Sequence, residues 1–191
     1  MSIIPLTCPT GCSTTPPDVT ADYCNPNVTN AQVTTLYVTS LDSASFTDIE
    51  DPAEWATRLV QTGVGADDIR TLHFIGSKPV ATATNVELGA DKKAMIIKEH
   101  RLEGVIRETS DENYNFLRST ECGGNFKIAY VIGKYLFVNS DITGNVDNDL
   151  IEVNIEMNDQ ASNNFSDPYE FAVVVTWKSK FHPGRITNPL A

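Results

Sequence analysis

The sequence is poor in basic residues, which limits the partners that it fits. Lysine and arginine number 14 against 25 aspartates and glutamates, giving a formal net charge of −11 and a pI of about 4.6. This balance argues against broad adhesion to nucleic acid, because such binding needs cations that displace counterions from phosphates. An acidic surface keeps a protein soluble, and it would also repel DNA that passes along it.

The residue groupings that carry catalysis are also missing from the sequence. Only three histidines are present, and there is no phosphate-binding glycine loop, nucleophile elbow or H-E-x-x-H segment. His73, His100 and His182 lie far apart in unlike settings, and His73 alternates with Leu72 and Phe74, which places it toward solvent or on a sheet surface. We therefore expect a chain that is not an enzyme and that uses no cofactor.

Cysteine is scarce, with four residues in the chain: Cys8, Cys12, Cys24 and Cys122. One C-x3-C pair with two scattered cysteines is a weak zinc pattern, because structural zinc sites usually contain two tight pairs. A disulfide in an oxidising environment and free thiols are the alternatives. The sequence leaves these three states open.

Long hydrophobic runs are absent as well. The longest apolar run is too short to span a bilayer, and the first residues, MSIIPLTCPTGC, carry neither a basic segment nor an apolar stretch of signal-peptide length. We expect no membrane partner and a chain that stays where it is made or travels inside an assembly.

What the sequence does contain is the alternation of apolar and polar residues that is typical of half-buried β-strands. Hydrophobic residues make up 41% of the chain, enough for a substantial core. The alternation is clearest at residues 151–157 and 169–177, and a hairpin turns at Gly133 and Lys134. Further strand-like segments occupy residues 33–39, 69–75, 94–108 and 126–138.

Two short helices interrupt the strands. Asp51 precedes a proline and is suited to cap the first helix. Thr109 with Glu112 matches a capping box for the second helix, which should turn Tyr114 and Leu117 inward. The pattern predicts a mainly β fold: a β-sandwich or half-barrel of seven to eight strands with one or two short packed helices and an extended N-terminal arm.

The chain divides into an arm and one domain. Residues 1–30 hold five prolines, which forbid helix, and few apolar residues, so they are predicted to form an extended arm. Residues 31–191 are predicted to form a single β-sandwich-like domain. Within it, residues 76–93 are small, polar and weakly patterned, which indicates either a long flexible hairpin or a protruding loop.

One predicted strand carries carboxylates on a single face. Alternation places Glu152, Asn154 and Glu156 together, with Asp147 and Asp149 just before them. A calcium site, an acid/base pair, an acidic lining and a plain solvated strand face all remain open for this acidic face.

Several segments together resemble small virion structural proteins of tailed phages. They are residues 46–49 (Phe-Thr-Asp-Ile), 51–55 (Asp-Pro-Ala-Glu-Trp), 112–116 (Glu-Asn-Tyr-Asn-Phe), Trp177 and 183–186 (Pro-Gly-Arg-Ile). The layout of residues 30–190 is similar to tail-tube and tail-ring proteins. The start, rich in cysteine and proline, resembles proteins of Bacteroides phages, including crAss-like ones.

The resemblance implies a function and a set of contacts. It implies a homo-oligomeric ring in the phage tail or neck that lines or surrounds a conduit for DNA, made in the host cytoplasm and contacting other tail or neck proteins. Residues 76–93 would then contact the next ring, with Lys78, Pro79, Val80, Asn85, Val86, Lys92 and Lys93 as interface candidates. The proline-rich arm departs from the simplest tube pattern, so a capsid-decorating or ligand-binding β-sandwich module is the alternative.

Overall fold

The computed structural model describes residues 32–87, 93–160 and 169–191, with side chains described outside residues 84–96. The predicted arm, residues 1–30, and the interface candidate Lys92 lie outside the described residues. Three further candidates, Asn85, Val86 and Lys93, are described by their backbone alone.

The described residues form nine strands and two helices, which confirms the prediction of a mainly β fold with short helices. The elements are β1 (Val33–Ser40), α1 (Pro52–Arg58), β2 (Arg70–Ser77), β3 (Thr82–Glu87), β4 (Lys93–Ile106), α2 (Asp111–Thr120), β5 (Asn125–Ile132), β6 (Tyr135–Val138), β7 (Ile151–Gln160), β8 (Glu170–Ser179) and β9 (Gly184–Thr187). The segment 76–93, for which a hairpin and a loop were both open, contains β3 and therefore forms part of a hairpin with β4.

Six of the strands close into an antiparallel barrel. Their order is β1-β2-β4-β8-β7-β5, and β5 pairs with β1 to complete the circle. The other three strands are appended, with β3 on β4, β6 on β5 and β9 on β6. The sequence predicts a β-sandwich or half-barrel of seven to eight strands, and both of these arrangements have free sheet edges. Closure instead pairs the barrel strands on both sides, which removes the exposed edges that those arrangements leave.

The barrel interior is a packed core and not a channel. Alternate residues of β7 and β8 point inward, and the inward set is buried: Ile151, Val153, Ile155, Met157, Phe171, Val173, Val175 and Trp177. They pack in one cluster with inward residues of the other barrel strands, such as Leu36 and Leu102. A barrel of so few strands has room for side chains alone. Any conduit would therefore have to be built between several copies.

Helix α2 joins the end of β4 to the start of β5 and seats Leu117 in the barrel core. Its N-cap is Ser110, whose hydroxyl accepts a hydrogen bond from the Asn113 backbone N–H, so the predicted cap at Thr109 was wrong by one residue. The predicted inward position of Tyr114 was also wrong, since 42% of its surface is exposed.

A second apolar cluster covers the outer surface of β1 and β5. Helix α1 begins as predicted, with the Asp51 carboxylate accepting from the Ala53 backbone N–H at 2.9 Å. It carries Trp55, which is fully buried and donates its indole N–H to the Ile49 carbonyl at 2.8 Å. Trp55 packs on Tyr37, an outward residue of β1. The whole cluster covers one side of the barrel.

Candidate functional site

The outer surface of β4, β8 and β7 forms a face that belongs to neither apolar cluster. We call it the open face and define it by the outward side chains Glu99, Arg101, Glu103, Val174, Thr176, Lys178, Glu152, Asn154 and Glu156. The acidic-face candidates of the sequence all lie on it, because their inward neighbours on β7 are the buried residues. The open face is therefore the surface that carries the acidic residues predicted from the sequence.

Register across the three strands sets the neighbours of these candidates. Glu156 lies opposite Val174, which lies opposite Glu103, so two carboxylates flank one apolar side chain. Asn154 is half-buried, and its amide donates to the Gly123 carbonyl at 2.8 Å. Asn154 therefore anchors the turn after α2, whereas Glu156 is exposed to partners.

The charges of the open face leave it acidic. The Arg101 guanidinium lies 2.6 Å from the Glu103 carboxylate, and Lys178 stands opposite Glu99. Glu152 faces Lys127 in the register, but the Lys127 ammonium instead contacts the Asp149 carboxylate at 2.9 Å. The open face thus carries four carboxylates against two cations among its defining side chains.

A shallow groove of about 390 Å³ lies on the open face. Its lining combines apolar surface, to which Leu41, Val153 and Trp177 contribute, with polar side chains; the polar ones are Glu99, Asn125, Glu152, Asn154, Thr176 and Lys178. It suits polar contacts with another molecule. Among the described residues, no group of three or more histidines, cysteines or carboxylates is placed to hold a metal ion.

The carboxylates that precede β7 do not converge on one point. The Asp141 carboxylate accepts from the Thr143 hydroxyl at 2.7 Å and from the backbone N–H groups of Thr143 and Asn145. These bonds, the Thr143 hydroxyl first, hold the pKa of Asp141 below its usual value. The Asp149 carboxylate is bonded to Lys127, so each carboxylate serves its own local structure.

The interface candidates occupy the approach to β3 and the hairpin itself. Pro79 and Val80 link β2 to β3 and are exposed, and the neighbouring Lys78 is half-buried. Asn85 and Val86 lie in β3, and Lys93 begins β4. In the described structure the pairing of β4 with β8 begins at Lys98, so residues 93–97 extend past the barrel for about 17 Å. The hairpin of β3 with this part of β4 is called the β3–β4 extension below.

Sequence reasoning missed a cluster of histidine and lysine near the base of the β3–β4 extension. His100 is fully buried against Trp177, and His182 lies at its edge. His73, by contrast, is exposed as expected. Alternation along β4 could have identified His100 as buried. His100 and Leu102 are two residues apart in this strand, and both side chains point into the barrel.

Comparisons with known proteins found no match to this chain among protein-family models, curated proteins or solved structures. Neither of the two helices in the described ranges has the length and apolar character needed to cross a membrane.

Proposed function

We propose that this chain is a non-enzymatic virion structural protein that forms homo-oligomeric rings in a phage tail or neck. The observation that carries the proposal is the distribution of strand edges. The barrel strands are paired on both sides, whereas the β3–β4 extension leaves the barrel with unpaired backbone along both of its borders in the described residues.

Unpaired strand borders recruit further strands. Backbone N–H and C=O groups at an edge bond readily to a strand of another chain, and proteins that stay monomeric usually protect such edges. Here β3 pairs with β4 alone, and β9 pairs with β6 alone, within the part of the chain that is described. One copy therefore offers free edges at two different places, the β3–β4 extension and β9, to its neighbours.

Two different edges favour a ring. A contact between unlike surfaces is heterologous, and heterologous contacts close into rings when the rotation between copies permits. We expect the β3–β4 extension of one copy to pair with an edge of the next, and other tail or neck proteins to add to the same edges. In such a ring, the open face with Glu152 and Glu156 supplies a surface that repels DNA phosphates, which suits passive passage of DNA.

A matched pair of substitutions tests the role of the β3–β4 extension. Val80 stands at the approach to β3 and Val64 stands in the link between α1 and β2, and the two are fully exposed at 95% and 104%. Val80→Lys and Val64→Lys therefore change charge and size equally without touching a core. Electron microscopy and analytical ultracentrifugation at high concentration should show rings for the parent and Val64→Lys, and their loss in Val80→Lys.

A parent chain that stays a single particle at every concentration would contradict ring formation. Equal assembly by both variants would contradict only the placement of the contact at the approach to β3.

The groove on the open face supports a second candidate, a capsid-decorating or ligand-binding module. Its mixed polar lining, with Asn125, Thr176 and Lys178, is the kind of surface that holds a polar ligand. This function predicts a monomer or trimer whose ligand binding is lost in Thr176→Arg, and it predicts no effect of Val80→Lys on assembly.

A further inference from the structure

Four side chains with basic nitrogens meet where the β3–β4 extension leaves the barrel. Lys98 and His100 belong to β4, Lys78 follows β2, and His182 follows β8. The Lys98 ammonium lies 3.3 Å from His182 Nε2, and the His182 and His100 ring centroids are 5.5 Å apart at an angle of 75°. We call these four residues the rim cluster.

The floor of the rim cluster is a buried imidazole whose nitrogens are incompletely bonded. His100 has no exposed surface, and neither Nδ1 nor Nε2 makes a hydrogen bond of normal geometry among the described residues, although the Phe181 backbone lies close enough to act on the pKa of the ring. Buried polar groups are almost always bonded in native proteins, so this ring has capacity for a further hydrogen-bond partner. His182 lies at the surface beside the ring, so solvent reaches the rim cluster on the side of His182.

Within the described ranges, no carboxylate balances the positive charge of the rim cluster. Burial lowers the pKa of His100 to about 4, with further lowering from Lys78, His182 and Lys98, and a hydrogen bond to the Phe181 backbone acts in the opposite direction. Burial and then Lys98 and Lys78 lower the pKa of His182 as well. No described carboxylate forms an ion pair with Lys78 or Lys98.

We propose that the rim cluster binds a phosphate group, held by Lys98, His182 and Lys78 above His100. Lysine is a common phosphate ligand, and an anion at this point would supply the counter-charge that the described residues do not give these four side chains. A divalent metal ion fits poorly, because the two ammonium groups would repel it. The neighbouring residues of β4, Glu99 and Arg101, lie in the opposite register on the open face and do not contribute.

Phosphate binding at this point must depend on pH. The anion favours protonated imidazole, so it raises the pKa of His182 and His100 on binding. By linkage, affinity then rises as pH falls, by up to about tenfold per pH unit for each proton taken up. The phosphate group has two sources, free inorganic phosphate and the backbone of a nucleic acid, and they share this chemistry.

The three histidines allow a direct test by proton NMR. The imidazole signals of the full chain are followed from about pH 8 to about pH 3, so that the window includes the lowered pKa of His100, in inorganic phosphate and in sodium chloride of equal ionic strength. We expect phosphate to move the titrations of His182 and His100 to higher pH and to leave His73 in place. Titrations that coincide in the two salts would overturn the proposal.

A matched pair of variants assigns the binding to the rim cluster. Lys98→Gln removes one cation from the cluster, and Arg118→Gln removes one from α2, where it pairs with Glu121. Loss of a charged hydrogen-bond donor should weaken phosphate binding about tenfold or more in Lys98→Gln and leave Arg118→Gln unchanged. If both variants bound phosphate equally weakly, the effect would come from the net charge of the protein. The proposal of a site at the rim cluster would then be overturned.

A short single-stranded oligonucleotide, used as a separate probe, distinguishes the sources. If it shifts the same two imidazoles, the site takes a nucleic-acid phosphate, and if inorganic phosphate alone shifts them, the site takes the free anion. Neither result depends on ring formation, so the proposed assembly and this site stand or fall separately.

Discussion

His100 stacks on Trp177 inside the end of the barrel, with ring centroids 5.1 Å apart and planes 9° from parallel. Parallel stacking on an indole suits an imidazole that is buried and neutral, and the lowered pKa of His100, about 4, agrees with this state. The contact joins the core to the rim cluster, because the same imidazole lies beside His182, with ring centroids 5.5 Å apart.

The first prediction concerns stability against pH. The pKa of His100 is lower in the folded chain than in the unfolded chain, so between about pH 6.5 and about pH 4 the unfolded chain binds more protons. Stability should therefore fall as pH falls through this window, by up to about 1.4 kcal/mol per pH unit for this proton. Urea unfolding across the window measures the slope. His100→Phe should flatten it and His73→Gln should not, and equal slopes in all three proteins would contradict the assignment.

The second prediction concerns the ion pair of Lys127 with Asp149. The Lys127 ammonium is buried, and it contacts the Asp149 carboxylate at 2.9 Å and the Ser43 carbonyl at 3.0 Å. Asp149→Asn should cost about 3 kcal/mol because it leaves a buried charge without its partner. Lys127→Met should cost less, since it removes that charge together with its desolvation.

An exposed pair provides the control for this comparison. Arg101 and Glu103 lie 2.6 Å apart, and both side chains are about half exposed. Glu103→Gln should therefore change the free energy of unfolding by less than about 1 kcal/mol. If chemical unfolding showed equal losses for Asp149→Asn and Glu103→Gln, burial of the first pair would not matter.

The third prediction concerns the close approach of β2 and β4. A Cβ at Gly104 would lie 2.4 Å from the Ile75 carbonyl oxygen, 2.5 Å from the Gly76 Cα and 2.6 Å from the Phe74 ring. Two of these contacts are backbone, so the strands themselves would have to separate. Gly104→Ala should lower the free energy of unfolding by about 1–3 kcal/mol. Ser77→Ala, at an exposed position of β2, should stay within about 0.5 kcal/mol.

The fourth prediction separates folding from assembly. Ala83 and Lys98 are cross-strand partners in the hairpin, so Asn-Gly in place of residues 84–97 should close them with a two-residue turn. The barrel core lies outside the removed segment, and we expect the variant to keep a cooperative thermal transition while rings disappear from electron micrographs. Normal rings from this variant would show that the β3–β4 extension is dispensable.

Several elements were predictable because their causes are local. Alternation along β7 and β8 predicted which residues are buried, such as Ile151 in β7 and Trp177 in β8. Successive side chains of a strand point to opposite faces, so every second residue is buried. Asp51 capped α1 as expected, because a carboxylate at this point bonds the free N–H groups of the first turn. The acidic-face residues Glu152 and Glu156 followed from the same alternation.

Other features could not be predicted, because they depend on more than the local sequence. Thr109 and Ser110 are both good caps, and the local pattern does not decide between them. β3 is weakly patterned, and it is a strand because β4 pairs with it. His100 and His182 are distant in sequence, and the pairing of β4 with β8 brings them together.

The order of residues along the chain is enough to predict the strand alternation, the start of α1, the acidic balance and the side of β7 that carries carboxylates. These features depend on residue type and on the two-residue period of a strand, both of which are local. Long-range packing establishes the rest: the sheet closes on itself, the free strand borders of the described residues lie on β3, on β9 and on the part of β4 past the barrel, and two histidines and two lysines meet at the rim. Closure requires β5 to pair with both β1 and β7, and such pairing is set by packing between residues far apart in the chain.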